Sequence, residues 1–172
     1  FLSKKKSLKI KFNSKKILLK LYNKLNFPNS YFVHRDFHSQ NLMKVGKKIG
    51  IIDSQDALIG NPAYDLASLI DDVRIKTPVK LKKKIYNYYF KKSFKITGQN
   101  PEKFLEDFKI LSVQRNLKII GIFSRLFVRD KKRNYLKFIP YIWKLLDLRM
   151  NSEIFNNFKK ILEKNISKRN KK

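Results

Sequence analysis

The sequence lacks cysteine altogether and contains only five glycines and five prolines among its 172 residues. The absence of cysteine excludes disulfides, thiolate metal ligands and a cysteine nucleophile. No run approaches the roughly 18 apolar residues of a membrane-spanning helix, and the first residues lack the order of a secretion signal. We therefore expect a cytoplasmic protein without a membrane span. No Gly/Ser-rich linker or internal repeat interrupts the chain, so residues 1–172 are predicted to form a single, partial domain.

Acidic residues are also scarce, with 13 Asp and Glu against 41 Lys and Arg, for a net charge of +28. Such an excess is typical of proteins that bind nucleic acid or an anionic membrane surface. The lysines, however, are spread along almost the whole chain, and AT-rich codons favour Lys, Asn, Ile, Phe and Tyr together. We therefore expect no specific nucleic-acid partner. Polyanion binding remains an alternative, which predicts retention on heparin that is lost with salt.

One short stretch carries a sharp chemical signal. It contains Asp36 and Asn41, and Asp53 follows after a short apolar run. A carboxylate can receive or orient the proton of a hydroxyl group, while an amide oxygen and a second carboxylate are oxygen ligands suited to Mg²⁺. The alternative is a purely structural role for these residues, in a loop rich in Asp and Asn, which cap turns in many proteins.

The apolar runs on either side of Gly46 predict a β-hairpin. Leu42–Val45 and Ile49–Ile52 read as two strands joined by a three-residue turn. If that turn is centred on Lys47, Asn41 faces Asp53 in the antiparallel register. Both predicted metal ligands then lie at one end of the hairpin, close to the loop that holds the first carboxylate.

The remaining chain is predicted to be mainly helical. Residues 1–30 form a basic segment with one helix. Residues 31–56 contain a short strand at Tyr31–Val33, then the loop and the hairpin. A helical body spans 61–166, and 167–172 are a basic tail. Apolar periodicity and caps predict the helices of that body at Ala63–Val73, Leu81–Phe94, Pro101–Phe127, Tyr135–Leu148 and Ser152–Ile166.

The segment His34-Arg35-Asp36 with Asn41 five residues after the aspartate resembles the H-R-D-x-x-x-x-N catalytic loop of the protein-kinase-like fold. The surrounding sequence resembles aminoglycoside phosphotransferase-like sugar kinases more than protein kinases. Within that group it is most similar to the bacterial anomeric kinases that act on N-acetylmuramate and N-acetylglucosamine. The resembling segments are 34–43, 49–56, 62–69 and 114–123.

The resemblance implies an α+β fold: the mainly helical C-terminal lobe of a kinase-like protein, with the small hairpin carrying the site. It implies ATP and Mg²⁺ as cofactors and an amino sugar as substrate. Asp36 would be the catalytic base, and His34 would support its loop. Asn41 and Asp53 would hold Mg²⁺ against the nucleotide phosphates. Asp65 would be the buried acid that anchors the catalytic loop, a structural role.

Two departures from the family accompany the resemblance. Ser54 stands where relatives usually carry an apolar residue beside the metal-binding aspartate. The second departure is larger, because no segment here resembles the N-terminal lobe that grips the nucleotide. We therefore expect the sequence, which begins at Phe1, to be the later part of a longer protein and to bind ATP poorly alone. A kinase for an aminoglycoside or a choline-like amine is one alternative function, and an inactive fragment or non-catalytic binding module is another.

Several polar residues are left with two interpretations, and the sequence does not predict the oligomeric state. His38 either packs within the loop or contacts sugar or phosphate, and the sequence does not assign it to one of these roles. Asp56 is either a group near the metal or a local turn cap. Asp71 and Asp72 are predicted to lie on a solvated helix face. Arg74 and Arg115 either contact a sugar or phosphate or pair with surface acids. The aromatic residues 86–90 and Trp143 are predicted to belong to the core.

Overall fold

The structure is a computed structural model that describes residues 4–97 and 100–166, with side chains for 8–94 and 100–166. The chain divides into two compact units. Residues 26–115 form one of them, and the described residues before 26 and after 115 form the other. The predicted basic tail, residues 167–172, lies outside the described residues. Within the described ranges, no helix is long and apolar enough to cross a membrane.

Six helices and four short strands are present in the described residues. In chain order they are α1 (Lys4–Tyr22), β1 (Tyr31–Val33), β2 (Leu42–Val45), β3 (Lys48–Ile51), β4 (Leu58–Gly60), α2 (Ala63–Ile70), α3 (Val79–Thr97), α4 (Pro101–Asp130), α5 (Ile139–Arg149) and α6 (Asn156–Asn165). Short 3-10 helices occupy Ser39–Asn41, Arg133–Phe138 and Glu153–Phe155. The predicted mainly helical α+β architecture is thus present in the described residues.

The strands form two separate antiparallel pairs in the unit of residues 26–115. β1 pairs with β4, so that Val33 faces Leu58, and β2 pairs with β3 to form the predicted hairpin. β4 was not predicted from the sequence. Its last residue is Gly60, which is followed by Asn61-Pro62, a sequence typical of a turn rather than of a strand.

The predicted register of the hairpin is wrong by one residue. Val45 pairs directly with Lys48, so the turn contains two residues rather than three. The first turn residue is a glycine with a φ of 59°, a left-handed conformation that lets a two-residue turn close the hairpin. As a result the main-chain N–H of Ile52 donates to the carbonyl of Asn41 at 3.1 Å, and Asp53 lies one residue beyond this contact.

The core of the unit of residues 26–115 is built from α2, α3 and the first half of α4. The stripe predicted on α2 is buried and consists of Ala63, Leu66, Ala67 and Ile70. Tyr86, Tyr89 and Phe90 of α3 pack around Phe104 of α4, with ring centroids within 6.0 Å of it. These three aromatic side chains therefore act as core residues, as predicted. Tyr88, which belongs to the same predicted cluster, is 66% exposed, so its predicted core role is wrong.

The second unit contains α1, the end of α4, α5 and α6. α1 covers the predicted lead-in helix and packs against α6. Phe123 of α4 contacts Tyr135 and Phe138 in the 3-10 segment, with centroids 5.1 and 5.9 Å apart. Trp143 on α5 is 6% exposed, in agreement with its predicted core role.

Several helix ends differ from the prediction. α2 ends at Ile70 rather than Val73, and α4 continues beyond Phe127 to Asp130. The predicted helix from Tyr135 begins instead at Ile139, where a proline in the first helical turn needs no hydrogen-bond partner for its nitrogen.

The prediction that Asp71 and Asp72 face solvent is wrong, because they are 0% and 2% exposed. Lys82 of α3 is also buried, and its Nζ donates to Asp71 Oδ1 at 2.9 Å and to the carbonyl of Ile70. Ser112 of α4 donates its hydroxyl to the other oxygen of Asp71 at 2.6 Å. This buried ion pair therefore joins the end of α2 to both neighbouring helices.

We expect Lys82→Met to lower the free energy of unfolding by about 3–5 kcal/mol, because it leaves the Asp71 carboxylate buried without its cation. Urea titration followed by circular dichroism measures the change. Lys83→Met, at an exposed neighbouring position, is the matched control. The double variant Lys82→Met/Asp71→Asn should recover part of the loss. Equal stability of the Lys82 and Lys83 variants would show that the pair does not hold the helices.

Candidate functional site

The loop between β1 and β2 is folded back on itself by local main-chain contacts. The N–H of His38 donates to the carbonyl of Asp36 at 2.9 Å, and the N–H of Asn41 donates to the carbonyl of His38 at 3.0 Å. Arg35 adopts a φ of 73°, in the left-handed region that non-glycine residues rarely occupy. The chain reverses at this residue and so places Asp36 at the turn of the loop.

Asp65, in the first turn of α2, holds the start of this loop. One carboxylate oxygen accepts the N–H of His34 at 2.6 Å, and the other accepts the N–H of Arg35 at 2.9 Å. Ser68, one helical turn later, donates its hydroxyl to the carbonyl of Arg35 at 3.3 Å. The structural role predicted for Asp65 stays a prediction, and these contacts agree with it.

The charge of Asp65 is subject to opposing effects. Burial raises the pKa of its carboxyl above the ordinary value of 3.8, whereas the N–H groups of His34 and Arg35 and the charge of Arg115 lower it. Burial is the largest of these effects, so the pKa rises overall.

His34 connects the loop to the far strand of the hairpin. Its side chain is 2% exposed, and Nε2 lies 2.9 Å from the carbonyl oxygen of Ile52. Because a carbonyl only accepts hydrogen bonds, Nε2 carries the proton. The contact fixes Ile52, the residue immediately before Asp53. Asp53 has a φ of 67° and is exposed. The support role predicted for His34 is consistent with this geometry.

Asn41 is joined to Asp36 rather than placed opposite Asp53. Its side-chain Nδ2 donates to the carbonyl of Asp36 at 2.9 Å, and the residue is 8% exposed. With the amide nitrogen engaged, the amide oxygen is the atom that suits a metal ion. Hydrogen bonds therefore link Asp36 to Asn41, Asn41 to Ile52, and Ile52 to His34, which brings the predicted residues to one end of the hairpin.

The candidate ion site pairs an amide with a carboxylate. Across residues 4–97 and 100–166, no three His, Cys, Asp or Glu side chains cluster as metal ligands. Asn41 is not one of these residue types, because its ligand atom is an amide oxygen. One amide and one carboxylate fit Mg²⁺, which usually keeps several of its waters when a protein binds it. The metal-binding roles of Asn41 and Asp53 stay predictions.

Asp56 takes part in the turn after the hairpin through its main chain. Its carbonyl oxygen accepts a hydrogen bond from Arg35 Nη1 at 3.2 Å, and its side chain is exposed. Ser54 is exposed as well, and its carbonyl accepts the N–H of Ala57 at 3.0 Å. The polar residue at this position therefore removes no buried apolar contact.

Two further carboxylates shape the site, and sequence reasoning did not identify their roles. Asp72 accepts the hydroxyl of Ser39 at 2.8 Å and thereby ties the loop to the end of α2. Asp107, on α4, is fully buried and accepts the N–H groups of Asn26 and Phe27 at 2.8 and 3.0 Å, just before β1. These partners are separated by 33 to 81 positions along the chain, so no local pattern reveals them.

Comparison with known proteins gives a matching family for the part of the chain that contains this site. The family described as "Phosphotransferase enzyme family" matches residues 18–100. This stretch is therefore similar to the phosphotransferase enzyme family. The resemblance stated from the catalytic-loop residues is thus confirmed.

Three curated relatives of this phosphotransferase segment bear the same name, N-acetylmuramate/N-acetylglucosamine kinase. The protein of Pseudomonas aeruginosa is 38% identical over 119 residues, or 67% of this chain and 35% of the relative. That of Neisseria meningitidis is 40% identical over 112 residues, covering 63% and 34%, and that of Caulobacter vibrioides is 32% identical over 126 residues, covering 68% and 33%. The chain thus spans about a third of the length of these relatives.

We expect Asp65→Ala to lower the free energy of unfolding by about 2–4 kcal/mol, because it leaves two buried N–H groups without acceptors. Denaturant titration measures the change, with Asp56→Ala as the matched control at an exposed carboxylate. The control should stay within about 0.5 kcal/mol of the unmodified chain. An equally small effect at Asp65 would contradict the anchoring role.

The raised pKa of Asp65 also predicts a pH dependence. A folded-state pKa above 3.8 means that the native protein binds the proton more tightly than the unfolded chain. Its contribution is fully present below pH 3.8 and is lost as the pH rises through the folded-state pKa. Unfolding free energies measured from about pH 3.5 to 6 should therefore fall with pH relative to those of Asp65→Asn. A relative stability that increases over this range would mean that the two N–H groups outweigh burial.

Proposed function

We propose that this chain provides the catalytic loop of a kinase that transfers a phosphoryl group from ATP to a sugar hydroxyl. The observation that carries the proposal is the anchored loop, in which the Asp65 contacts set the turn at Arg35 and Asp36 is linked to Asn41. A carboxylate on an anchored loop, with an amide and a second carboxylate nearby, suits phosphoryl transfer, since that reaction depends on positioning and electrostatics.

In this mechanism Asp36 accepts or orients the proton of the attacking sugar hydroxyl. The anchored loop holds the main chain of Asp36 in place before the substrate arrives, so little backbone reorganisation is needed at the moment of reaction. Asn41 and Asp53 would hold Mg²⁺, which neutralises the charge that builds on the transferring group. His34 keeps the main chain beside Asp53 fixed through its contact with Ile52.

We propose an N-acetylated amino sugar as the acceptor, phosphorylated at its anomeric oxygen. The names of the relatives support this class, as does the scarcity of acids, because a polycationic aminoglycoside needs an acidic site. We place the reaction in the cytoplasm, where ATP is available. Tight binding of the nucleotide would require an N-terminal lobe, and no segment of these 172 residues resembles that lobe.

Radiolabel transfer from Mg-ATP to N-acetylmuramate and N-acetylglucosamine tests the proposal. The assay uses the chain and, where its coding sequence continues upstream of Phe1, the extended protein. We expect Asp36→Asn and Asp53→Asn each to lose at least about 10²-fold in kcat/KM, since each removes a group that acts in the transition state.

Asp147→Asn, at an exposed carboxylate of α5, serves as the control and should keep full activity. Transfer that is equal in the Asp36 variant and the unmodified protein would refute the mechanism. Transfer to an aminoglycoside or choline in preference to both sugars would refute the acceptor class.

A further inference from the structure

Helix α1 carries an exposed apolar stripe on one side. Leu8, Phe12 and Leu19 are 59%, 68% and 51% exposed. An α-helix turns by about 100° per residue, which places the three side chains within roughly 40° of one another around its axis. Leu21, on the opposite side, is 3% exposed. The helix is therefore apolar on two sides, of which one is buried, and an aligned set of exposed apolar side chains is typical of an interaction surface.

The polar positions around this stripe are basic. Residues 8–22 contain five lysines and no Asp or Glu. Lys11 and Lys15 flank the stripe on one side and Lys9 and Lys16 on the other, each within about 90° of its centre. In the described part of the chain, none of these four forms an ion pair. Lysine stems lie along apolar surface while their ammonium groups stay in a polar layer, so this side of α1 suits a boundary between apolar and anionic layers.

The cleft between α1 and α6 extends the positive charge onto α6. It has a volume of about 440 Å³ and is lined by Lys9 of α1 and by Lys160 and Lys164 of α6. Ile10 and Ile161 contribute apolar surface to it, and no carboxylate of the described residues lines it. Lys9 belongs both to the border of the stripe and to the cleft. The two features are therefore adjacent parts of one basic and apolar surface within the second unit.

We propose that this surface of α1 and α6 binds the face of an anionic lipid bilayer, with the stripe in the interfacial layer and the lysines among the headgroups. A basic helix whose exposed apolar positions are Leu and Phe is the type that lies in the plane of such an interface. A nucleic acid would bind the lysines but leave Phe12 and its apolar neighbours in water. A second copy of the chain would bring one basic surface against another, which like-charge repulsion disfavours.

Sedimentation with lipid vesicles tests this inference, using the chain and, where its coding sequence continues upstream of Phe1, the extended protein. We expect vesicles that contain phosphatidylglycerol and phosphatidylcholine in about equal amounts to bind at least about tenfold more tightly than vesicles of phosphatidylcholine alone. Phe12→Gln should weaken binding to the anionic vesicles at least about fivefold, because it removes the largest apolar side chain of the stripe. Val128→Gln, at a residue of α4 that is 66% exposed, is the matched control and should stay within about twofold. Equal affinity of these two variants would overturn the inference.

A pair of charge variants separates this surface from the overall charge of +28. Lys9→Gln/Lys160→Gln removes one lysine from each helix at the cleft and should weaken binding to the anionic vesicles about tenfold. Lys47→Gln/Lys48→Gln, at exposed positions of the hairpin, removes the same charge and should change the affinity by about twofold or less. Equal losses in the two double variants would show that binding depends on net charge alone, which would contradict the inference.

Circular dichroism checks the folding of each variant, and all the substituted positions are exposed. Three further outcomes would also refute the inference. Retention on heparin without vesicle binding would assign the surface to a nucleic acid or another soluble polyanion. A dimer that depends on Phe12 in light scattering, without vesicle binding, would assign it to a second copy of the chain. Vesicle binding by the 172-residue chain that is lost in the extended protein would show that the preceding segment covers the stripe.

Discussion

The carboxylate of Asp65 accepts two successive main-chain N–H groups, and the position of the candidate site depends on this contact. A left-handed residue such as Arg35 costs about 1–2 kcal/mol, so it persists only where the surroundings determine it. The buried first turn of α2 provides that support. The loop, the link between Asp36 and Asn41, and the contact of His34 with the hairpin all follow from this fixed turn.

The scarcity of acids gives the buried ones particular weight. In the unit of residues 26–115, Asp71, Asp72 and Asp107 are almost fully buried, and each accepts hydrogen bonds from a different segment. Several of the few carboxylates in this lysine-rich chain are therefore buried contacts that join helices and loops.

The elements that were predicted correctly from the sequence are those whose signals are local. Apolar periodicity located the helices, and the alternation around Gly46 located the hairpin. The spacing of Asp36 and Asn41 located the loop. The register failed because a turn of two or three residues is decided by the backbone conformation of a single glycine, which the residue pattern does not specify.

The errors share a physical cause, which is contact between distant parts of the chain. Asp71 looks solvent-facing on a helical wheel, yet Lys82 and Ser112 arrive from two other helices to bury it. β4 is a strand only because β1 lies beside it.

The side-chain nitrogen of Asn41 bonds to the main chain of Asp36, and this has a consequence for the electrostatics of the ion site. An aspartate at position 41 would offer a stronger ligand for a divalent cation, but it would have no proton to donate and would set a carboxylate against a carbonyl oxygen. In the proposed ion site, the architecture of the turn would thereby limit the two ligands to a single formal negative charge. The affinity of this proposed site for Mg²⁺ would be limited by the requirements of the backbone, which would favour exchange of the ion over permanent retention.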